Sequence, residues 1–224
     1  MAFKAQQRRE GVLKIENILS EYTAATLTLT ASGDYVSIGG GDYENGDIVH
    51  ISEPLSLAGD YIITQYDGAA DLGFMSVYGL TADDIDGIDA ITGYKVEMLP
   101  ACWVTDFNLT MGTWNTEQIT NGCGEVVTLP STFERGEYSL TFQENWDIDL
   151  QLALKNEFQK RTPTAVLSFE PVGIEETGER VRMGVQETAR TLVTAISFDR
   201  PNEGISTGTM TLKVASDIVT ARIA

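Results

Sequence analysis

Gly136-Glu-Tyr-Ser-Leu-Thr-Phe142, followed by Asn145-Trp-Asp-Ile-Asp-Leu150, is the stretch whose reading decides the fold. Tyr138, Leu140 and Phe142 recur at every second position, the period of a strand with one face in a core. From Trp146 to Lys160 the period changes. Leu150, Leu154 and Phe158 fall at i, i+4 and i+8, with Ile148 and Leu152 beside them, so one face of a helix is apolar. Asn145 or Asp147 can cap its start, and Thr162-Pro163 stops it. A strand leading into the one convincing helix sets the class as mainly β or α+β.

Alternation continues on both sides of this stretch. Upstream, Phe107, Leu109 and Met111 alternate with polar residues, and a long polar stretch from Thr113 to Arg135 reads as a loop. Downstream, strands are expected at Ala165–Phe169, Val181–Val185, Leu192–Phe198 and Met210–Val214, the first two joined by the polar loop Pro171–Glu179.

Farther upstream the composition shifts. Thirteen of the 33 acids lie between Ala31 and Glu97, against a single base, Lys95, so this segment carries −12 of the total −18. Asp47-Ile-Val-His-Ile51, Asp60-Tyr-Ile-Ile-Thr64 and Phe74-Met-Ser-Val-Tyr78 are short β-branched or aromatic runs punctuated by glycine turns. They suggest a small antiparallel barrel or sandwich. Thr26-Leu-Thr-Leu-Thr30 before them alternates like one strand. The 224 residues therefore divide by composition into three segments. They are an N-terminal arm and strand (1–30), an acidic small β-barrel-like module (31–100) and a β domain with one packed helix (101–224).

The charge excludes a phosphate-gripping nucleic-acid binder, which needs cations to release counterions. Met1 to Arg9 has bases but no apolar run behind it, so no signal peptide is expected, and nothing approaches the ~20 apolar residues of a membrane span. Cys102 and Cys123, free or joined in one bridge, cannot make a disulfide framework and fit a reducing, cytosolic site of synthesis.

Catalytic and cofactor motifs are missing. His50, the one histidine, sits in an alternating strand without a nucleophile in a recognisable motif, and reads as a strand residue. Gly39-Gly-Gly41-Asp42 lacks the Lys-Ser/Thr of a P-loop and the third glycine of a dinucleotide site, and reads as a loop. Asp83, Asp84, Asp86 and Asp89 fail the EF-hand spacing: counted from Asp84, Gly87 falls fourth and Lys95 stands where the bidentate Glu belongs. A solvated acidic loop is the expectation there. Asp147 and Asp149 sit where negative charge offsets a helix dipole. Asn108-Leu-Thr110 is a glycosylation sequon in form only. No catalytic, cofactor or metal residue is assigned, and the chain is not read as an enzyme.

An ordered pattern over about 101–217 resembles a known family. It runs from Val104-Thr-Asp-Phe-Asn-Leu-Thr110 through Asn115-Thr-Glu-Gln-Ile-Thr-Asn121 to Gly136–Phe142 and the Trp-bearing lead into the helix. Arg161-Thr-Pro163, Val166-Leu-Ser-Phe169, Arg182-Met-Gly-Val185, Leu192–Phe198 and Gly208-Thr-Met-Thr-Leu-Lys-Val214 follow. In this order the elements resemble the tail tube (major tail) proteins of long-tailed phages, which share their fold with the tube of type VI secretion systems. Gly46-Asp-Ile-Val-His-Ile-Ser52 and Gly59-Asp-Tyr-Ile-Ile-Thr64 also look like a repeat of small β-domains in phage structural proteins.

The resemblance implies a tail-tube-like β-sandwich or barrel whose copies form hexameric rings. The rings stack into a tube with other tail proteins as partners, and DNA passes through the lumen without specific binding. It implies no cofactor, and a place in the virion tail after synthesis in the host cytoplasm. Residues 113–135 then become an assembly loop, and Glu137, Glu144, Asp149 and Glu157 are candidates for the lumen. Rival readings are a tail terminator, a head–tail connector, a capsid decoration protein, or a carbohydrate-binding module using Trp103, Trp114 and Trp146.

Overall fold

The computed structural model describes residues 10–223 except 33–34, 68–69, 71, 76–79, 89, 111, 121–125, 146–147, 161–164, 175–179, 183 and 217. Strands dominate. β1 (Glu10–Glu16), β2 (Ala25–Thr26), β3 (Thr28–Ser32) and β4 (Tyr35–Gly39) come first. β5 (Ile48–Glu53), β6 (Gly59–Asp67) and β7 (Leu72–Met75) precede a single helical turn, α1 (Ala82–Ile85). β8 (Thr92–Val96), β9 (Met98–Pro100), β10 (Val104–Thr110), β11 (Thr113–Thr120), β12 (Val126–Glu134) and β13 (Glu137–Gln143) lead to helix α2 (Asp149–Lys160). β14 (Ala165–Ile174), β15 (Arg180–Arg182), β16 (Gly184–Asp199), β17 (Thr207–Val214) and β18 (Val219–Ile223) follow. The chain is mainly β, as the alternation requires. Among the described residues no helix is long and apolar enough to cross a membrane.

Contacts divide the chain into two compact units. The first comprises 1–102, 165–190 and 217–224; the second comprises 103–164 and 191–216. Composition drew its boundaries at 30 and 100, whereas contacts group 31–100 with β1, β14 and the start of β16, because strands far apart in sequence share cores there.

In the first unit, seven antiparallel strands run in the order β2-β8-β5-β6-β7-β4-β3. β5 buries an apolar side chain on each face. Val49 and Ile51 enter a core with Val36, Ile38, Leu57, Tyr61, Ile63 and Met75, while Ile48 packs with Val96 and with Val166 of β14. β1 pairs antiparallel with β14 and with β9, and β16 pairs with β18 through Gly184–Thr188. Thr26–Thr30 is not one strand. Leu27 N donates to Ile91 O at 2.9 Å, and the chain changes partner there, β2 pairing with β8 and β3 with β4.

In the second unit the strands run β10-β13-β17-β16, all antiparallel. The helix begins later than the pattern suggested, at Asp149; Trp146, Asp147 and Thr162-Pro163 lie outside the described residues. Its start is tied by Gln151, whose Oε1 accepts from Asn145 N (3.0 Å) and whose Nε2 donates to Gln143 O (2.9 Å). Leu150 and Leu154 are buried, but Leu152 and Phe158 stand partly exposed, so the apolar stripe is narrower than the spacing indicated. The stretch expected as a loop, Thr113 to Arg135, is a hairpin: β11 pairs antiparallel with β12 as a two-stranded sheet of its own. Its threonines are polar in hydropathy but, like its valines and isoleucine, β-branched, and the branched Cβ favours extended backbone.

Candidate functional site

The sheet of the second unit presents two unlike faces. On one, Tyr138, Leu140 and Phe142 of β13 stand beside Gly208, Met210 and Leu212 of β17, all buried. The edge of α2 borders this face, with Gln151 and Lys155 beside Phe142, Ile196, Phe198 and Met210. Trp103 meets Phe142 edge-on at 5.5 Å, and Phe142 meets Phe198 likewise at 6.1 Å. Gly208 is required here. A Cβ on it would lie 2.5 Å from the Phe142 ring, so only a glycine lets the ring cross β17.

The opposite face carries hydroxyls. In register across four strands stand Asn108, Ser139, Thr211 and Ala195, then Asp106, Thr141, Thr209 and Ser197. Ser197 Oγ and Thr209 Oγ1 are 2.7 Å apart. Both bulges in this sheet place a threonine, and each donates its hydroxyl to the neighbouring strand: Thr105 to Thr141 O at 3.1 Å and Thr194 to Thr211 O at 3.2 Å. Such donation supplies a partner to a carbonyl where the ladder slips. Charge on this face is sparse: Glu137 stands opposite Lys213 at one end, and Asp106 lies exposed nearer the other. β10 closes the strand order with one hydrogen-bonded neighbour, β13, so among the described strands its outer edge is unpaired.

The four acids singled out for a lumen are not equivalent. Glu137 alone lies on the hydroxyl face. Glu144 is held at both oxygens by Arg200, Nε to Oε2 at 2.9 Å and Nη2 to Oε1 at 2.5 Å, and these bonds lower its pKa. Glu157 pairs with Lys160 at 2.9 Å. Asp149 is exposed in the first turn of α2, where it suits the dipole.

Other residues marked in the sequence take structural places. Asp84 accepts from both Thr81 N and Thr81 Oγ1, at 2.7 and 2.6 Å, at the start of α1, which lowers its pKa. The acidic loop is thus partly a helical turn, and Asp89 lies outside the described residues. At Gly39–Asp42, Tyr66 donates to Gly41 O (3.1 Å) and Lys95 to Asp42 O (2.8 Å). Cys102 is exposed and unbridged; Cys123 lies outside the described residues.

A second polar concentration lies inside the first unit and was not legible beforehand. Arg190 Nε and Nη2 donate to Asp60 Oδ2 and Oδ1 at 2.9 and 2.8 Å. His50 Nδ1 is 2.8 Å from Asp60 Oδ1. Arg190 Nη1 lies 3.5 Å from Glu16 Oε2, which also accepts from Val166 N at 2.9 Å. Tyr94 stands 5.1 Å from the His50 ring and stacks on Tyr22 at 4.6 Å. Burial raises Glu16, and Arg190, Val166 N–H and His50 offset it only in part. Burial would raise Asp60 too, but hydrogen bonds from His50 and Arg190 bring it below the ordinary range. Beside this group, Gln186 Nε2 donates to Gly46 O (3.0 Å) and Ser168 Oγ (2.9 Å), and Thr188 donates to Ser168 (3.0 Å). The available signal was Gln186, Thr188 and Arg190 at alternate positions of one strand.

No protein-family model and no curated protein matches the chain. Several solved structures align at low similarity, three of them as follows. A chain of an extracellular contractile injection system, the PVC sheath-tube complex in its extended state, is 12% identical with a TM-score of 0.42, over 56% of this chain and 83% of that one. A chain of the anti-feeding prophage baseplate is 14% identical with a TM-score of 0.42, over 56% and 85%. An Hcp protein is 10% identical with a TM-score of 0.34, over 80% and 98%.

Proposed function

We propose that this chain is a structural, self-assembling protein of a phage tail, the tail tube protein, and acts through its surfaces rather than through catalysis. Copies join as rings, hexameric by the resemblance, and the rings stack into a conduit with other tail proteins at its ends. The observation that carries this reading is the two-faced sheet of the second unit, with one face closed by buried apolar side chains and the other an exposed run of hydroxyls. An unpaired strand edge beside such a face suits ring closure, since pairing with a neighbour's strand would satisfy the β10 backbone. A hydroxyl surface with few cations gives DNA nothing to exchange counterions with, so a polyanion can pass without being held.

The hairpin β11–β12 is proposed as the element that engages the next ring. Electron microscopy of the purified protein tests the reading, with open-ended tubes expected. Closed single rings would favour a terminator or connector. A non-assembling monomer that binds glycans would favour the carbohydrate-binding alternative. Deleting Asn115–Thr132 should leave a folded subunit that forms no tubes; tubes of normal length from that variant would refute the hairpin's role.

A further inference from the structure

We propose that Glu16, His50, Asp60 and Arg190 form a proton-binding site that locks the sheet containing β5, β6 and β8 to β1 and β16 within the first unit. Each member comes from a different strand: Glu16 from β1, His50 from β5, Asp60 from β6 and Arg190 from β16. The side chains of Glu16 and Asp60 are 6% exposed, and those of His50 and Arg190 are 22% exposed.

Charge counting gives the site its property. Two carboxylates face one guanidinium, so the group is neutral only when it holds one more proton. Asp60 is a poor place for that proton, because both its oxygens already accept from Arg190 and Oδ1 also faces His50. A carboxylate so engaged can only accept, which puts a hydrogen on His50 Nδ1 and leaves Nε2 as the ring's remaining basic atom. Of the two carboxyls, Glu16 is the one that burial raises, so it is the acid that takes up the added proton.

The remaining titratable groups close the site rather than compete for the proton. Tyr94 of β8 borders His50 and Arg190, and its phenol is raised by burial. Tyr22, stacked on Tyr94, is pushed up to about 12 by burial and then by the Glu16 charge. Tyr22 also donates to Asn17 O at 3.2 Å. Glu97, at the outer rim, accepts from Asn17 at 3.0 Å and from Ser20. Neither phenol ionises near neutral pH.

The consequence is a joint that loosens as pH rises. With the proton bound, the strands meet across a neutral, hydrogen-bonded group. Without it, one uncompensated negative charge stays among buried strands, where desolvation makes it costly. The raised pKa of Glu16 agrees with this direction.

The test follows the Glu16 side-chain carboxyl by carbon NMR in the full chain, assigned with Glu16→Gln. In the wild type its midpoint is expected above its ordinary value of 4.5. In His50→Gln, which removes a neighbour that lowers Glu16, the midpoint should move up further. A midpoint at the ordinary value, or the same midpoint in both proteins, overturns the proposal. Amide exchange in the wild type alone gives a second measurement that needs no variant to fold. Corrected for intrinsic rates, protection across β5 and β8 should fall between mildly acidic and mildly alkaline pH; unchanged protection overturns the proposal.

Discussion

The guanidinium of Arg190 holds both carboxylate oxygens of Asp60, with Nε 2.9 Å from Oδ2 and Nη2 2.8 Å from Oδ1, across 130 residues of chain. A planar fork on a planar carboxylate is the geometry in which an ion pair is strong and directional. It ties β16 to β6, and through Glu16 it extends to β1.

Arg190→Met should be strongly destabilising, because it leaves Asp60 and Glu16 buried without their shared cation. Breaking a buried pair in this way costs about 3–5 kcal/mol. Urea unfolding of the variant against wild type measures it, and the double variant with Asp60→Asn should recover part of the loss.

The pH profile follows from the two carboxylates in opposite directions. Asp60 lies below its ordinary value of 3.8, so its stabilisation is complete above that value and is lost as pH falls through the lower folded value. Glu16 lies above 4.5, so its contribution is complete below that value and is lost as pH rises through the higher folded value. Thermal melts in Glu16→Gln should therefore decline less than wild type on the alkaline side, with the acid limb retained.

Gly208→Val should displace the Phe142 ring, which already lies where a Cβ would sit. Overpacking of this kind costs about 1–3 kcal/mol. Loss of near-ultraviolet circular dichroism from the Trp103–Phe142–Phe198 group should accompany the lowered midpoint.

Leu154→Ala should cost about 2–5 kcal/mol, since this side chain is fully buried beneath α2 and its removal leaves a cavity. Leu152→Ala, on a partly exposed position of the same helix, should cost much less; chemical denaturation of both variants checks the contrast.

Ser139→Lys with Thr209→Lys puts two cations on the hydroxyl face, at exposed positions. Ser139→Lys should change stability by no more than about 0.5 kcal/mol, and Thr209→Lys should cost about 1 kcal/mol through the lost hydrogen bond with Ser197. Assembled wild type should not retain DNA, whereas the variant should retain it in a salt-dependent manner; filter binding at two salt concentrations reads this out.

Much of the second unit could be read from local pattern. Alternation in β13 and β17 names the buried and exposed residues one by one, and Leu150 and Leu154 mark the inner side of α2. Other elements escaped such reading. Glu10–Glu16 alternates over too few residues to stand out, although it pairs with both β14 and β9. Thr113 to Arg135 looked like a loop because threonine counts as polar in hydropathy while its branched Cβ favours a strand.

The sequence by itself determined the strand-rich class, the one long helix, the acidic 31–97 segment and which side of β13 and β17 is buried. These follow from side-chain period and charge, which are properties of neighbouring residues. Only the tertiary structure decided that Glu16, His50, Asp60 and Arg190 meet, that Arg200 holds Glu144, and that hydroxyls from four strands form one face. Strand register sets those encounters, and register depends on pairing between segments whose separation along the chain carries no local signal.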